Sequence, residues 1–419
     1  MRFTANREEL LSAARDALSV TPDASPIKEL ECAYLATEDG MLTVAGGNLA
    51  VSLERRIPVR IEEEGVAIIE AKLLVDMLSR LAGESVEIRM DKKRYLTLTC
   101  GDSFYGIGTL DSTKYPRLTI PFPEDTVPVT GLPALARRTV FAVSETDDKP
   151  LMKCVHLIFS KEELRAVGSD GFRIAAAKGE SKAAASVDML VPAASLQKLT
   201  RLVENKDELR VGTTGKSVVF MKENFIFSAL LVQGAYFDET QMFSRVQTDF
   251  MVLADAAVLR NAMSSVYAVV GEHNRFCLAF NGARLRMTCE SEYGASSLEL
   301  DTVPLSGSPS GVYWYNPGKL LECLKALGGT TMLKVAANGA LLMETDELVC
   351  LQMPTREPKP VEQRIAFKQR AVQKKAEKKE KPEKPKKEKK KPEKEAKPKG
   401  RKKKEKEAAP VPEAASKGA

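Results

Sequence analysis

Apolar residues along this chain keep two alternating rhythms, and the alternation comes round three times. Leu10, Leu11, Ala14 and Leu18 fall at the three-to-four spacing of an amphipathic helix, which predicts one over residues 7–20. The same stripe returns over 132–144 and over 255–270, where Val258, Leu259, Ala262 and Val266 share a face. Strand-like runs follow each helix, with Leu42, Leu164 and Leu285 inside them at successive separations of 122 and 121 residues. Tight turns are expected at Glu38-Asp39-Gly40, Ser160-Lys161-Glu162 and Asn281-Gly282, since Asp-Gly and Asn-Gly are strong hairpin signals.

A second helix per copy is signalled by Leu74/Leu78/Leu81, Leu196/Leu199/Leu202 and Leu320/Leu324/Leu327. Prolines 192 and 317 suit the first turn in two of them. Strands around Ile88, Val211 and Val335, with alternating runs such as 95–99 and 217–220, close each copy. Two helices packed on antiparallel strands make an α+β layer. A period near 120 residues predicts three such domains, over 1–124, 125–247 and 248–359.

Charge then divides the chain differently. Residues 361–419 hold 23 Lys+Arg against 10 Asp+Glu, while the whole chain is only +6, so residues 1–360 carry a net of −7. The tail from 360 onward is Lys-rich, interrupted by Pro382, Pro385, Pro392 and Pro398, and has no aromatic residue after Phe367. Nothing in it can build a core, so it is expected to be disordered.

Chemistry-bearing motifs are absent from the body. There is no GxGxxG, GxxxxGK[ST], HExxH or GxSxG, and the histidines are two, His156 and His273. Seven scattered cysteines without a CxxC pair read as buried free thiols in a reducing cytoplasm, and no metal or cofactor is implied. Asp170 in Ser169-Asp170-Gly171 reads as a turn residue, and Glu62-Glu63-Glu64 and Asp147-Asp148 as solvated loops. The N-terminus lacks the apolar stretch of a signal peptide, and no run reaches the roughly 18 apolar residues of a membrane span. This body is expected to be a scaffold, not an enzyme.

Particular runs resemble one family, the bacterial DNA polymerase III β subunit, or sliding clamp. They are Met1-Arg2-Phe3-Thr4 with Glu8-Glu9-Leu10-Leu11, Lys149-Pro150-Leu151-Met152 with Val155-His156-Leu157, the run from Glu163 through Ser169-Asp170-Gly171-Phe172-Arg173-Ile174, and Met353-Pro354-Thr355-Arg356. Phe172 stands where the family usually has His, Cys154 where it has Gly, and Tyr236-Phe237-Asp238 where it has Phe-Pro-Asp. The family normally stops just after Met-Pro-x-Arg, whereas this chain adds about 60 residues.

The resemblance implies a homodimeric, head-to-tail ring of six domains that encloses duplex DNA and tethers the replicative polymerase, the clamp loader and other proteins bearing clamp-binding peptides. It implies a peptide pocket at Met152, Ser169, Gly171, Phe172, Arg173, Ile174, Phe237, Gln241, Met242, Leu351, Met353, Pro354, Thr355 and Arg356. DNA-facing cations are expected among Arg80, Arg137, Arg138, Lys198, Arg201, Lys319 and Lys325. A protomer contact is expected between Tyr105 and Ile107 on one side and Val269 and Val270 on the other. The rival reading is a nucleoid-type nucleic-acid binder driven by the cationic tail, with the body as a dimerisation scaffold. Two roles are open to the tail. It can add salt-screened affinity for nucleic acid, or Gln363-Arg364-Ile365-Ala366-Phe367, which resembles a partner peptide, can fold back into the chain's own pocket.

Overall fold

The structure, a computed structural model, describes residues 1–361 apart from 117–119, 121, 147–148, 162 and 181–185. The chain divides into two units, Met1–Ala366 and Phe367–Ala419. The second unit, the expected disordered tail beyond Val361 and the Gln363–Phe367 run lie outside the described residues, as do Asp147 and Asp148.

Helix α1 spans Arg7–Val20 as its stripe predicts, and the Asn6 side chain caps it by accepting from the Glu8 and Glu9 amides. Helix α2 is Ala71–Arg80. The second copy's opening helix, α3, is shorter than its pattern suggests, Leu132–Arg137, with a separate 3-10 turn at Val140–Ala142. Thr139 ends it, folding its hydroxyl back onto the Leu135 and Ala136 carbonyls. Helix α4 is Ala193–Leu202, with Pro192 one place earlier than expected, closing the preceding strand. A short α5, Glu239–Ser244, was not foreseen. Helix α6 is Ala256–Tyr267, capped by Asp255, and α7 is Pro317–Ala326, with Asn316 as cap and Pro317 in its first turn.

Among the described residues the strands form four antiparallel sheets. Asp39 and Gly40, both at positive φ (50° and 72°), make the first hairpin turn, joining Cys32–Glu38 to Met41–Gly47. In the third repeat the turn is Gly282-Ala283, one residue later than read, because Asn281 pairs with Arg284.

Two sheets cross from one repeat to the next. Strand Phe225–Leu230, the last of the second repeat, pairs with Val51–Pro58 of the first, Phe227 opposite Leu53. Strand Leu348–Gln352, the last of the third repeat, pairs with Arg173–Glu180 of the second, Ala175 opposite Cys350. The remaining two sheets end on unpaired edges, Ser103–Gly108 in the first repeat and Gly294–Asp301 in the third. All seven cysteines are free and buried, and burial pushes the Cys32, Cys154 and Cys289 thiols up to about 11, so they are inert core residues. Among the described residues no helix is long and apolar enough to cross a membrane, and no group of His, Cys, Asp and Glu could hold a metal ion.

Candidate functional site

The seam where Arg173–Glu180 meets Leu348–Gln352 carries an apolar cleft of about 670 Å³. Its first wall is the loop 169–172. Asp170 shapes that loop, its carboxylate accepting from the Phe172 and Arg173 amides at 2.9 and 3.0 Å, and Gly171 takes the left-handed φ of +82° that the turn needs. The carboxylate is thereby a turn former, as the sequence suggested. The Ser169 hydroxyl donates to the Arg173 carbonyl at 2.8 Å and accepts from the Gly171 amide at 3.1 Å.

The loop is anchored from α7. Arg173 is only 6% exposed. Its guanidinium donates to the Lys319 carbonyl at 3.2 Å, to Glu322 at 2.5 Å and to the Phe141 carbonyl, and it stacks on the Phe141 ring. Lys319 pairs with Asp170 at 2.7 Å and lies 4.6 Å from the centroid of the Phe172 ring. That ring is 64% exposed, held at the rim by a cation on one face. The second wall is the segment 236–247. Tyr236 stacks on His156 at 5.2 Å, and burial raises its hydroxyl pKa above the ordinary value. Buried Glu239 pairs with Arg165 at 3.2 Å, fixing α5 against the sheet. The third wall comes from the third repeat, where Ala336 and Ala340 leave space in front of Leu351. The Met353 amide donates to the Phe172 carbonyl at 2.9 Å, tying the walls together.

Of the expected pocket residues, Met152, Ser169, Gly171, Phe172, Arg173, Ile174, Phe237, Met242, Leu351 and Met353 line this cleft. Gln241, Pro354, Thr355 and Arg356 lie outside the lining: the Gln241 side chain meets Arg245, and the Thr355 amide turns to the Trp314 carbonyl. Sequence reading missed Arg245, Val246, Gln247, Ala336, Ala337, Asn338 and Ala340. Val246 continues the spacing of Met242, so its signal was present, whereas the small-residue run Ala-Ala-Asn-Gly-Ala at 336–340 carries none of its own.

The expected cations divide. Arg80, Arg201 and Lys325 are exposed, each in the last turn of its repeat's second helix. Arg137 is exposed as well and donates to Asn205 at 2.8 Å, whereas Arg138 pairs with Glu347, Lys198 donates to the Val20 carbonyl at 3.3 Å, and Lys319 is engaged by Asp170. Tyr105 and Ile107 turn inward against the first repeat's core, because alternation along Ser103–Gly108 puts Phe104, 61% exposed, on the opposite face. Val269 and Val270 are likewise half-buried against their own core.

Residues 1–119 match the family profile described as DNA polymerase III beta subunit, N-terminal domain, and residues 126–238 match that of its central domain. The chain is 25% identical over 385 residues to the beta sliding clamp of Bacillus subtilis (strain 168), covering 85% of this chain and 100% of that protein. It is 22% identical over 342 residues to the beta sliding clamp of Staphylococcus aureus, covering 78% and 90%. Its fold superposes on the crystal structure of the Bacillus subtilis DNA polymerase sliding clamp with TM-score 0.80 at 22% identity, covering 85% and 99% of the two chains. The Pseudomonas aeruginosa DNA polymerase III subunit beta gives TM-score 0.78 at 23% identity, covering 85% and 100%.

Proposed function

This chain belongs to the DNA polymerase III beta subunit family, and we propose that it works as that family's sliding clamp, a non-enzymatic ring that encircles duplex DNA and tethers the replicative polymerase and other DNA-processing proteins. The observation that carries this reading is the pairing rule at the seams. Each internal seam joins the last strand of one repeat to the fourth strand of the repeat before it. Applied once more, the rule leaves one strand of each kind over: Ser103–Gly108 in the first repeat and Gly294–Asp301 in the third. A second copy satisfies both at once, head to tail, and closes a ring of six domains with no open sheet edge at its seams. The repeats then run 1–124, 125–247 and 248–359. The protomer contact centres on these two strands, with Tyr105, Ile107, Val269 and Val270 beneath them.

Retention on DNA then rests on topology. Phosphate contacts can be weak, which permits sliding, and an acidic body suits that requirement. Arg80, Arg201 and Lys325 all fall in the last turn of their repeat's second helix, and their exposure supports a ring of sparse positive charge facing DNA. The cleft between the second and third repeats takes the apolar anchors of partner peptides, which adaptable Met152, Met242 and Met353 suit. Its site of action is the cytoplasm, and its partners include the clamp loader. The tail-driven alternative is not favoured, because the seams and the cleft belong to the body.

The test is retention on closed circular against linearised plasmid after clamp loading and a high-salt wash. Survival on the circle with loss from the linear form is expected. Equal loss from both would reassign DNA binding to the cationic tail.

A further inference from the structure

The third wall of the cleft is the turn 336–340, whose side chains are too small to fix its place by packing. Its backbone closes on itself, the Gly339 amide donating to the Ala336 carbonyl at 2.8 Å and the Ala336 amide to the Ala340 carbonyl at 2.9 Å. The Asn338 side chain accepts from the Ala340 amide at 3.0 Å. Ala336, Ala337, Asn338 and Ala340 line the cleft, whereas Gly339, at a left-handed φ of 82°, does not. Those bonds give the turn its shape. Its place is set by what holds Gly339 from behind.

Tyr315 is that support. It is 2% exposed, and its hydroxyl donates to the Gly339 carbonyl at 2.8 Å. The residue is itself fixed on both sides, between strand Ser310–Trp314 and Asn316, the cap of α7, and its amide donates to the Phe276 carbonyl at 3.1 Å. Burial raises the hydroxyl's pKa above the ordinary value, so it stays protonated and a donor well beyond neutral pH. Two further groups press on the same glycine. A Cβ built on Gly339 would stand 2.8 Å from the Tyr313 ring and 3.2 Å from Pro354, the neighbour of the cleft residue Met353.

The other repeats lack this brace. The residue just before the cap of the second helix is Ile69 in the first repeat, Val191 in the second and Tyr315 in the third, all buried. Of the three, only Tyr315 carries a hydroxyl. The turn of the second repeat that corresponds to 336–340, residues 214–216, lines no hollow of the first seam among the described residues. Brace and cleft occur together, in the same repeat.

We infer that Tyr315 is a positioning residue for the cleft, its hydroxyl holding the turn 336–340 where it leaves space for a partner peptide in front of Leu351. This rests on the reading of the cleft as a peptide site. Tyr315 is not among the lining residues and acts only through the turn. A binding wall serves when it is held to within about 0.5 Å by the groups behind it. Without the hydroxyl the Gly339 carbonyl loses its donor, and a buried unpaired carbonyl draws the turn towards water. Ala336 and Ala340 then shift, and the space they keep open changes shape.

The experiment measures, by fluorescence anisotropy, the binding of a labelled peptide with Leu and Phe anchors to the full chain and to four variants, each with its unfolding midpoint. Tyr315→Phe, which removes a single oxygen, is expected to raise the dissociation constant on the order of fivefold, the worth of one hydrogen bond. Gly339→Ala, whose Cβ would push the turn off Tyr313, should weaken the peptide in the same direction. Tyr115→Ala removes a ring at the first seam and should lower the midpoint while leaving peptide affinity unchanged. Phe172→Ala should weaken the peptide and so report that the cleft is the site. Full affinity in Tyr315→Phe or in Gly339→Ala, with Phe172→Ala weakened, overturns the positioning role. Equal weakening by Tyr115→Ala overturns it too, since general loosening would then account for the loss. Phe172→Ala without effect, or a full chain that binds no peptide, overturns the cleft reading itself, a distinguishable failure.

Discussion

The seam between the first and second repeats and the seam between the second and third are built on one plan and end with opposite surfaces. Residue by residue, 121 or 122 positions apart, Leu30 answers Met152, Asn48 answers Asp170, Ala50 answers Phe172, Val51 answers Arg173, Ser52 answers Ile174 and Pro116 answers Phe237. Even the aromatic pair is kept, Tyr115 on Tyr34 at 5.3 Å against Tyr236 on His156 at 5.2 Å. Yet the first seam leaves a crevice of about 20 Å³ at this place, and the second a cleft of about 670 Å³. A further hollow at the first seam, about 420 Å³, mixes six charged residues, Glu54, Arg56, Glu124, Arg210, Lys222 and Glu223, with Phe122, Pro123, Met221 and Ile226. The backbone frame is common property. What opens a cleft at one seam is the choice of a few side chains, small on the far wall and apolar on the near one.

The largest expected effect breaks the anchor that only the second seam has. Both loops share the same turn, Asn48 accepting from the Ala50 and Val51 amides as Asp170 does from Phe172 and Arg173. Only Arg173 adds a buried ionic link. Arg173→Ala strips a partner from Asp170, 3.1 Å from its guanidinium, and from Glu322, and should lower stability by about 3 kcal/mol, read by urea denaturation. Val51→Ala, which removes only methyl groups, should lower it by about half as much. Equal losses would show that the ionic anchor adds nothing to packing.

The next test asks whether the frame is truly shared. Tyr115→Ala and Tyr236→Ala each remove a half-buried ring stacked on an aromatic partner, and each should destabilise by about 2 kcal/mol. Matching falls in midpoint support a common scaffold, and a much larger fall for one would break the equivalence. A smaller effect separates scaffold from site. Phe172→Ala copies the first seam's Ala50 without touching the core, since the ring is mostly exposed. It should weaken a labelled peptide with Leu and Phe anchors about tenfold while leaving the unfolding midpoint in place. Peptide affinity unchanged in fluorescence anisotropy would remove Phe172 from the site.

These comparisons also mark what the sequence could convey. Hydrophobic period located α1 to the residue, both helices of the third repeat closely, and the threefold recurrence itself, because burial dictates spacing directly. It overran α3, where a single hydroxyl competing for helix carbonyls decides the end. Most of the cleft's near wall was legible from the run 169–174, through its family resemblance. The far wall at 336–340 was not, because alanines in a turn carry no signal until a neighbouring repeat is folded against them. Nor did charge alone say which cations face solvent: Arg138, Lys198 and Lys319 look like surface residues in the sequence and are engaged in the fold.

Two of those lysines supply the finest test. Lys198, the sixth residue of α4, and Lys319, the third of α7, lie about one turn apart on corresponding helices, and each turns its ammonium to the repeat before it. Lys319 finds a carboxylate, Asp170, and an aromatic face. Lys198 finds a backbone carbonyl, and burial lowers its pKa from the ordinary value, Asp23 opposing that shift and Arg201 adding to it. A lowered folded pKa means that folding disfavours the charged form. The penalty is present at neutral pH, and stability recovers as pH rises from the folded pKa towards the unfolded one. Lys319→Met should therefore lower stability by about 0.5–1 kcal/mol. Lys198→Met should be neutral or stabilising by a few tenths of a kcal/mol, on the order of a half-screened charge. Unfolding midpoints at pH 7 and pH 9.5 check both: the advantage of Lys198→Met should shrink at the higher pH. The same substitution on corresponding helices would then carry opposite signs, set by what stands across the seam.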